Sequence, residues 1–594
     1  MSPHPWGVIS VLRGSDVDRV AYVVDTSGAA DQLDAFVHAG KKKSGRPSAL
    51  TTRTLLIGML LAAQAGDGLI LTSIYTTLTH EIPIDKQLEL GVRATISGEP
   101  LFAQDTIDRR VNRIIKTFEF GKGTAPDLSD EERTRRQHAL LGVMNSMLDV
   151  TLEPIPNRTT LSIDATSVWA FGRNPGKKDV AAIRDTITQL RAQGDDDEAD
   201  LMSRHLTAMV REATTTTTRE ASTKGDVDVA DPALQELKIY ERGYDRDARS
   251  SAKTGKDGKP EWVYGYDAHI TVRTVNPGED YTAVPNLVER VVVSPAGRDL
   301  VASSQLLLTS APDVDIQRTI VGDRAYSNLR EDNWYHFLTS HGYDQAVDMR
   351  ETDQAWTDVD GMRVTAGSCH CPATPDHLEK IPRPNMGVTS EFIEAIDERS
   401  QYACAIKEAT PDKRRVQCPA LAGQVRCPLR PESMAGPLDL PLIEKPPAAE
   451  TAPRICTQDS VTVHATNPNA RARLWQKHYW GSPKQVALYN LRTSVEQKYS
   501  RVKDRHGTNM SAGFVRIAGL TAMTLAINLV FIADNIRELE TWADRHADLD
   551  EEQREHPLLA THRRHVHLEL TREEADRLSA FLLNTDKSEI KLAS

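Results

Sequence analysis

Neither a leader nor a membrane-spanning run is expected from the sequence, and it contains no nucleotide-binding loop and no paired-thiol finger. Met1 to Arg13 carries no basic segment followed by an apolar core, so no secretory signal is expected there. The most apolar stretch, Ala518 to Ala533, is short and interrupted by Thr521, Thr524 and Asn528. A spanning helix needs about 20 apolar residues, so a buried helix is expected and no membrane partner. The expected location is the cytosol, in association with the nucleoid. No GxxxxGK[ST] phosphate loop occurs, which argues against ATP-driven chemistry; Gly172-x3-Gly176-Lys177 is only a fragment of that pattern. No HExxH helix and no internal repeat is present.

Excess positive charge is also missing. Lys and Arg number 72 against 84 Asp and Glu, a net charge of −12. That opposes a protein that coats nucleic acid through bulk charge, but leaves room for a local basic groove. With 39% hydrophobic and 26% charged residues, the 594-residue chain is ordinary for a globular protein. Its length fits about three to five structural units.

The expected fold class is α/β. Residues 1–155 read as a helical N-terminal domain. Thr54 to Ala63 is apolar after the turn Ser44-Gly45-Arg46-Pro47. Asp105 and Thr106 could cap a helix whose stripe is Ile107, Val111, Ile114, Ile115 and Phe118. On that helix Arg109, Arg113 and Lys116 recur at i, i+4 and i+7; they could meet DNA phosphates or equally form a solvated face. Another helix should start near Ser129, with Asp130, Glu131 and Glu132 in its first turn. Residues 156–350 read as a first stretch of sheet: strands at 160–164, 262–274, 287–294, 320–323 and 345–349, with a polar excursion over about 180–260 and a helix over about 328–341. Periodicity is lost over about 351–483, which holds every cysteine and the Pro-rich segment 437–453. Helices resume over 484–545, completing the catalytic part, and 546–594 reads as a helical tail.

The chemistry concentrates near 490. Tyr489, Arg492, Glu496 and Lys503 have offsets of 0, 3, 7 and 14, so on one continuous helix they share a stripe about 60° wide. Leu488, Leu491, Val495, Tyr499 and Val502 form an apolar face beside it. Between 471 and 510 there are nine basic residues and two acids, Glu496 and Asp504. Such a patch attracts a polyanion. A carboxylate within it repels phosphate unless a divalent cation lies between. Asp164 and Asp323, each closing an apolar strand, supply the further acids such a centre needs. Mg²⁺ takes hard oxygen ligands, and a pair of ions about 3.5–4 Å apart suits in-line phosphodiester displacement.

Asp164, Asp323 and Glu496 in this order resemble the acidic triad of bacterial insertion-sequence DDE transposases. Tyr489-x2-Arg492-x3-Glu496-x6-Lys503 matches at every spacing the tyrosine–arginine–glutamate–lysine signature of one large branch. Asp323-Arg324-Ala325-Tyr326 looks like that branch's second-aspartate motif. Tyr264-Gly265-Tyr266-Asp267-Ala268-His269 resembles the strand after the first aspartate, and Asp245-Arg246-Asp247-Ala248 the segment before it. The resemblance covers about 160–350 and 484–535. It implies a ribonuclease H-like mixed sheet flanked by helices, with the triad at one edge. It also implies cleavage of double-stranded DNA at transposon ends by two Mg²⁺ ions, with Mn²⁺ able to substitute, and attack of the freed 3′-hydroxyl on target DNA by a homodimer. Tyr489, Arg492 and Lys503 would contact the end DNA, the cations at phosphate and the phenol on a displaced base. The long interval between Asp323 and Glu496 requires an inserted subdomain. The alternative is a repurposed DNA-binding protein without catalysis, or a nuclease that cuts but does not join; inverted repeats flanking the gene would favour the mobile element. Tyr326 and His269 are expected to serve packing.

Six cysteines, all between Cys369 and Cys456, suggest a metal rather than disulfides in a reducing compartment. Their spacing contains no CxxC pair. A structural Zn²⁺ held by Cys404, Cys418 and Cys427, with Cys369 or Cys371 as fourth ligand, is the expectation. No histidine can be argued to orient a nucleophilic thiol.

Overall fold

The computed structural model describes residues 12–559 apart from 40–47, 67–70, 172–176, 201, 204–244, 255–258, 383–387, 505–507, 511–515 and 547–548. The five-threonine tract, the phosphate-loop fragment and most of the tail at 546–594 lie outside the described residues.

Six strands form one mixed sheet: β1 (Thr160–Trp169), β2 (Arg249–Thr254), β3 (Pro260–Arg273), β4 (Leu287–Pro295), β5 (Arg318–Gly322) and β6 (Tyr343–Val347). The order across it is β4–β3–β1–β5–β6; β2 pairs with the first part of β3 and β4 with the remainder. The β4–β3 and β3–β1 pairs are antiparallel, the β1–β5 and β5–β6 pairs parallel. Alternation divides each strand between two cores. Val291 and Val293 face the large core, whereas Val292 between them packs with Leu307 and Leu308 of the helix Leu300–Thr309. A strand covered on both faces is apolar throughout, and β4 is buried along nearly all its length.

The N-terminal helices follow the sequence closely. Ile107, Val111, Ile114, Ile115 and Phe118 are all buried on Gln104–Phe118. The cap is Ala103, two to three residues earlier than the Asp105–Thr106 expectation, and Asp105 instead sits in the first turn. Ser129 caps Asp130–Leu152, its hydroxyl accepting from the Glu132 N–H. The helix Leu520–Arg545 is the spine of the fold. It packs on Thr52–Ala65, on Asp130–Leu152 and on β4, and one core joins it to buried residues of the N-terminal helices, of β3 and β4 and of the helix that carries Val495. It is long and apolar enough to cross a membrane, but 89% of its most apolar window is buried inside the protein. The N-terminal helices thus share one core with the sheet. Asp245 and Asp247 fasten the joint: they accept from the Gly519 and Leu520 N–H groups at the spine's start, and Asp247 also accepts from Gly123 N–H and the Thr124 hydroxyl.

Two sequence expectations need correction. Of the helix expected over 328–341 only Tyr335–Ser340 forms; the turn before it buries Trp334, and a separate short helix, Arg324–Ser327, precedes that turn. The interval 351–483 is ordered: two three-stranded sheets, Thr357–Val359 with Met362–Thr365 and Ser368–His370, and Ala405–Ala409 with Lys413–Gln417 and Val461–His464, surround their own core beside the helix Ser390–Gln401. Strands of three to five residues are too short to show periodicity.

Candidate active site

The parallel β1–β5 pairing ends at Ser162↔Val321, and two residues further along each strand come Asp164 and Asp323. Asp323 ends its strand as expected. Its carboxylate caps the turn Arg324–Ser327 by accepting from Ala325 N–H at 2.7 Å. A side chain at Gly322 would lie 2.9 Å from the Tyr326 ring, so the residue before Asp323 must be small for Tyr326 to pack beneath it. Asp164 does not end its strand: β1 continues to Trp169 because β3 pairs with it throughout, Asp164 opposite Ile270. Only on the β5 side has pairing stopped. That step in the sheet leaves Asp164 half-buried beside Asp323.

Glu496 arrives on the helix Thr493–Lys503, which is not continuous with Pro483–Asn490. At Leu491–Arg492 the bonds tighten from i−4 to i−3: Arg492 N–H reaches Tyr489 O at 3.0 Å and Val495 N–H reaches Arg492 O at 3.2 Å. The single ideal helix drawn from the offsets is therefore broken in its middle. The polar groups nonetheless converge, because tertiary bonds fix the second helix on one face of β1. Ser162, Asp164 and Thr166 share that face. The Ser162 hydroxyl donates to Arg492 O at 3.3 Å, the Tyr499 hydroxyl to Asp164 O at 2.7 Å, and the Lys503 ammonium to the Thr166 hydroxyl at 2.5 Å. Leu161 and Ile163 point the other way, into the second core.

The electrostatics follow. Asp164 is pushed up to about 6, first by burial; the Ala165 N–H opposes this, Asp323 adds to it, Arg492 opposes it and Glu496 adds to it. Asp323 and Glu496 therefore both reach Asp164 electrostatically. Arg492 donates to Glu496 at 2.7 Å and lies 5.8 Å from the Tyr489 ring centre. Tyr489 is buried with Val321 and Ala346, so stacking on a base would require it to leave that packing.

Tyr326 and His269 are buried as packing groups, Tyr326 against Trp334 and His269 bonded to Ser294 at 2.9 Å. Sequence reasoning missed Asp348, one residue past β6, which is held by Arg324 at 2.9 Å and by the Trp480 indole. It also missed the anchoring hydroxyl of Tyr499, whose position on the apolar face concealed it. Arg109, Arg113 and Lys116 are exposed on Gln104–Phe118, which packs on the other N-terminal helices and the spine; Arg109 pairs with Asp105.

Among the described residues, no group of three or more His, Cys, Asp or Glu side chains is placed so that it could hold a metal ion. The donor chemistry of Asp164, Asp323 and Glu496 still fits a hard divalent cation: carboxylates, two of which repel the charge of Asp164, a repulsion such an ion relieves. No family model, no curated protein and no solved structure matches the chain.

Proposed function

We propose that the chain is a DDE-type DNA transposase on a ribonuclease H-like scaffold, cutting at its element's ends and joining the freed 3′-hydroxyl to target DNA. The observation that supports this reading is the placement of Asp164 with Asp323 and Glu496 both in electrostatic reach of it, from two strands and a helix, at one step in a mixed sheet flanked by helices. Asp164, Asp323 and Glu496 would hold the cations. When bound, two Mg²⁺ or Mn²⁺ ions would stabilise the attacking and leaving oxygens of the phosphodiester. Arg492 keeps Glu496 in place and, with Lys503, offers positive charge to the DNA backbone beside it. Two copies would be needed to hold two ends together, as the resemblance implies.

The test uses the full chain, duplex DNA carrying the element's ends, and Mg²⁺. Asp164→Asn, Asp323→Asn and Glu496→Gln are each expected to lose strand cleavage by about 10³-fold or more while end binding survives. Cleavage at the wild-type rate in any one removes that residue from the site. End binding by a wild-type protein that never cuts, with either cation, would leave the DNA-binding alternative standing.

A further inference from the structure

The cysteine-bearing interval carries a second site, and its chemistry does not depend on the proposed reaction. Cys371, Cys418, Cys427 and Cys456 line one cavity of about 10 Å³, room for a single small sphere. Apart from Arg430, the rest of its wall is apolar. The four thiols come from four separate turns, so only the tertiary fold unites them. Each turn is pinned by its backbone: Cys371 N–H to Tyr402 O at 2.8 Å, Ala422 N–H to Cys418 O at 3.0 Å, Cys427 N–H to the Ser433 hydroxyl at 2.9 Å, and Cys456 N–H to Pro453 O at 2.8 Å.

Two details mark these as ligands rather than core thiols. Cys371, Cys418 and Cys427 are each followed by proline, and at two of them the next N–H turns back on the sulfur: Ala373 on Cys371 and Leu429 on Cys427. An N–H aimed at sulfur favours thiolate over thiol. In addition, every pair among the four lies within electrostatic reach.

We propose that Cys371, Cys418, Cys427 and Cys456 bind one structural Zn²⁺ that closes the inserted subdomain. Four thiolates around a small volume suit tetrahedral zinc. The side chains must turn inward to meet it, since none of the described thiols yet stands in ligand geometry. Cys456 replaces Cys404 in the ligand set expected from sequence. Cys369 and Cys404 instead line a neighbouring, larger cavity of about 310 Å³ and are joined through the Cys404 N–H to Cys369 O bond. Cys404 is near enough to act on Cys371, Cys418 and Cys456, which makes it the discriminating control.

Elemental analysis of the full chain, purified without chelator, is expected to find about one zinc per chain. Cys371→Ser, Cys418→Ser, Cys427→Ser and Cys456→Ser should each lose it, and Cys369→Ser and Cys404→Ser should keep it. Should the ligand variants fail to fold, the wild-type chain decides. Co²⁺ in place of zinc should show the sulfur charge-transfer and tetrahedral bands of four thiolates, and chelation should open four further cysteines to a thiol reagent. Zinc retained in Cys456→Ser but lost in Cys404→Ser overturns the ligand set. A folded, zinc-free chain that gives no cobalt bands overturns the site, and iron in place of zinc overturns the metal.

Discussion

Glu289 and Asp164 belong to the same sheet, one strand apart, and are treated in opposite ways. Glu289 is fully buried between Arg273 and Arg318, at 2.6 and 2.7 Å. Burial alone would raise its pKa, but the two guanidiniums outweigh it and hold the carboxyl below its usual range. Asp534 on the spine helix repeats the pattern with Lys498 and Arg501, and is held down to about 2: burial opposes, and both cations overcome it. Asp164 is buried enough to be desolvated, has two acids for neighbours and shares Arg492 with Glu496. The first arrangement satisfies charge for the sake of the fold. The second leaves charge in excess at an accessible step, which suits a cation arriving from solution.

Breaking the satisfied side should have the largest effect on stability. Asp534→Ala leaves the buried Lys498 ammonium without its carboxylate, and denaturant unfolding should show a loss of about 3–5 kcal/mol. A loss under about 1 kcal/mol would mean that this acid does not anchor the spine.

pH separates the two sets next. If the proposed site is right, Mg²⁺ must displace the proton that burial favours on Asp164, so cleavage should need more Mg²⁺ as pH drops through about 6. The contribution of Asp534, whose folded pKa is depressed to about 2, is present above the ordinary carboxylate range and is lost only as pH falls toward that value. Between these limits the chain should be folded yet need a higher Mg²⁺ concentration to cut, which Mg²⁺ titrations paired with circular-dichroism profiles would reveal. An Mg²⁺ requirement unchanged down to pH 5 would contradict the assignment of Asp164 as a ligand.

A smaller effect has the reverse sign. Because the folded pKa of Asp164 is raised, its charge costs stability above about pH 6, and protonation recovers that cost as pH falls toward the unfolded value. Asp164→Asn should therefore stabilise the metal-free chain at neutral pH by on the order of 1 kcal/mol, a gain that fades near pH 4. Thermal melts at the two pH values check it. The smallest change is at the rim: Arg492→Ala or Lys503→Ala should each flatten the salt dependence of end binding by about one unit of slope. An unchanged slope would place these cations away from phosphate.

Much of the architecture was legible because it is local. The stripe from Ile107 to Phe118, the cap at Ser129 and the doubly covered β4 announce themselves through spacing and apolar content. The site was legible as residues and less so as geometry. Nothing in the sequence marks the break at Leu491–Arg492, since both residues keep right-handed helical torsions and no glycine or proline intervenes. Asp164 reads as a strand end because the pairing that carries β1 onward comes from β3, about a hundred residues away. The grouping of the thiols was hidden for a related reason: chain reversals, not spacing, bring Cys456 to Cys371.

The spine helix has a consequence for synthesis. Residues 12–152 emerge from the ribosome early, yet the surface they must cover belongs to Leu520–Arg545, made hundreds of residues later. Domains usually fold as they emerge; here the first-made helices have to wait, half-clothed, for the last long one. Should the chain cut DNA, a ribosome that stalls before that point releases a fragment whose scissors were never riveted, and premature termination becomes a safeguard for the genome that carries it.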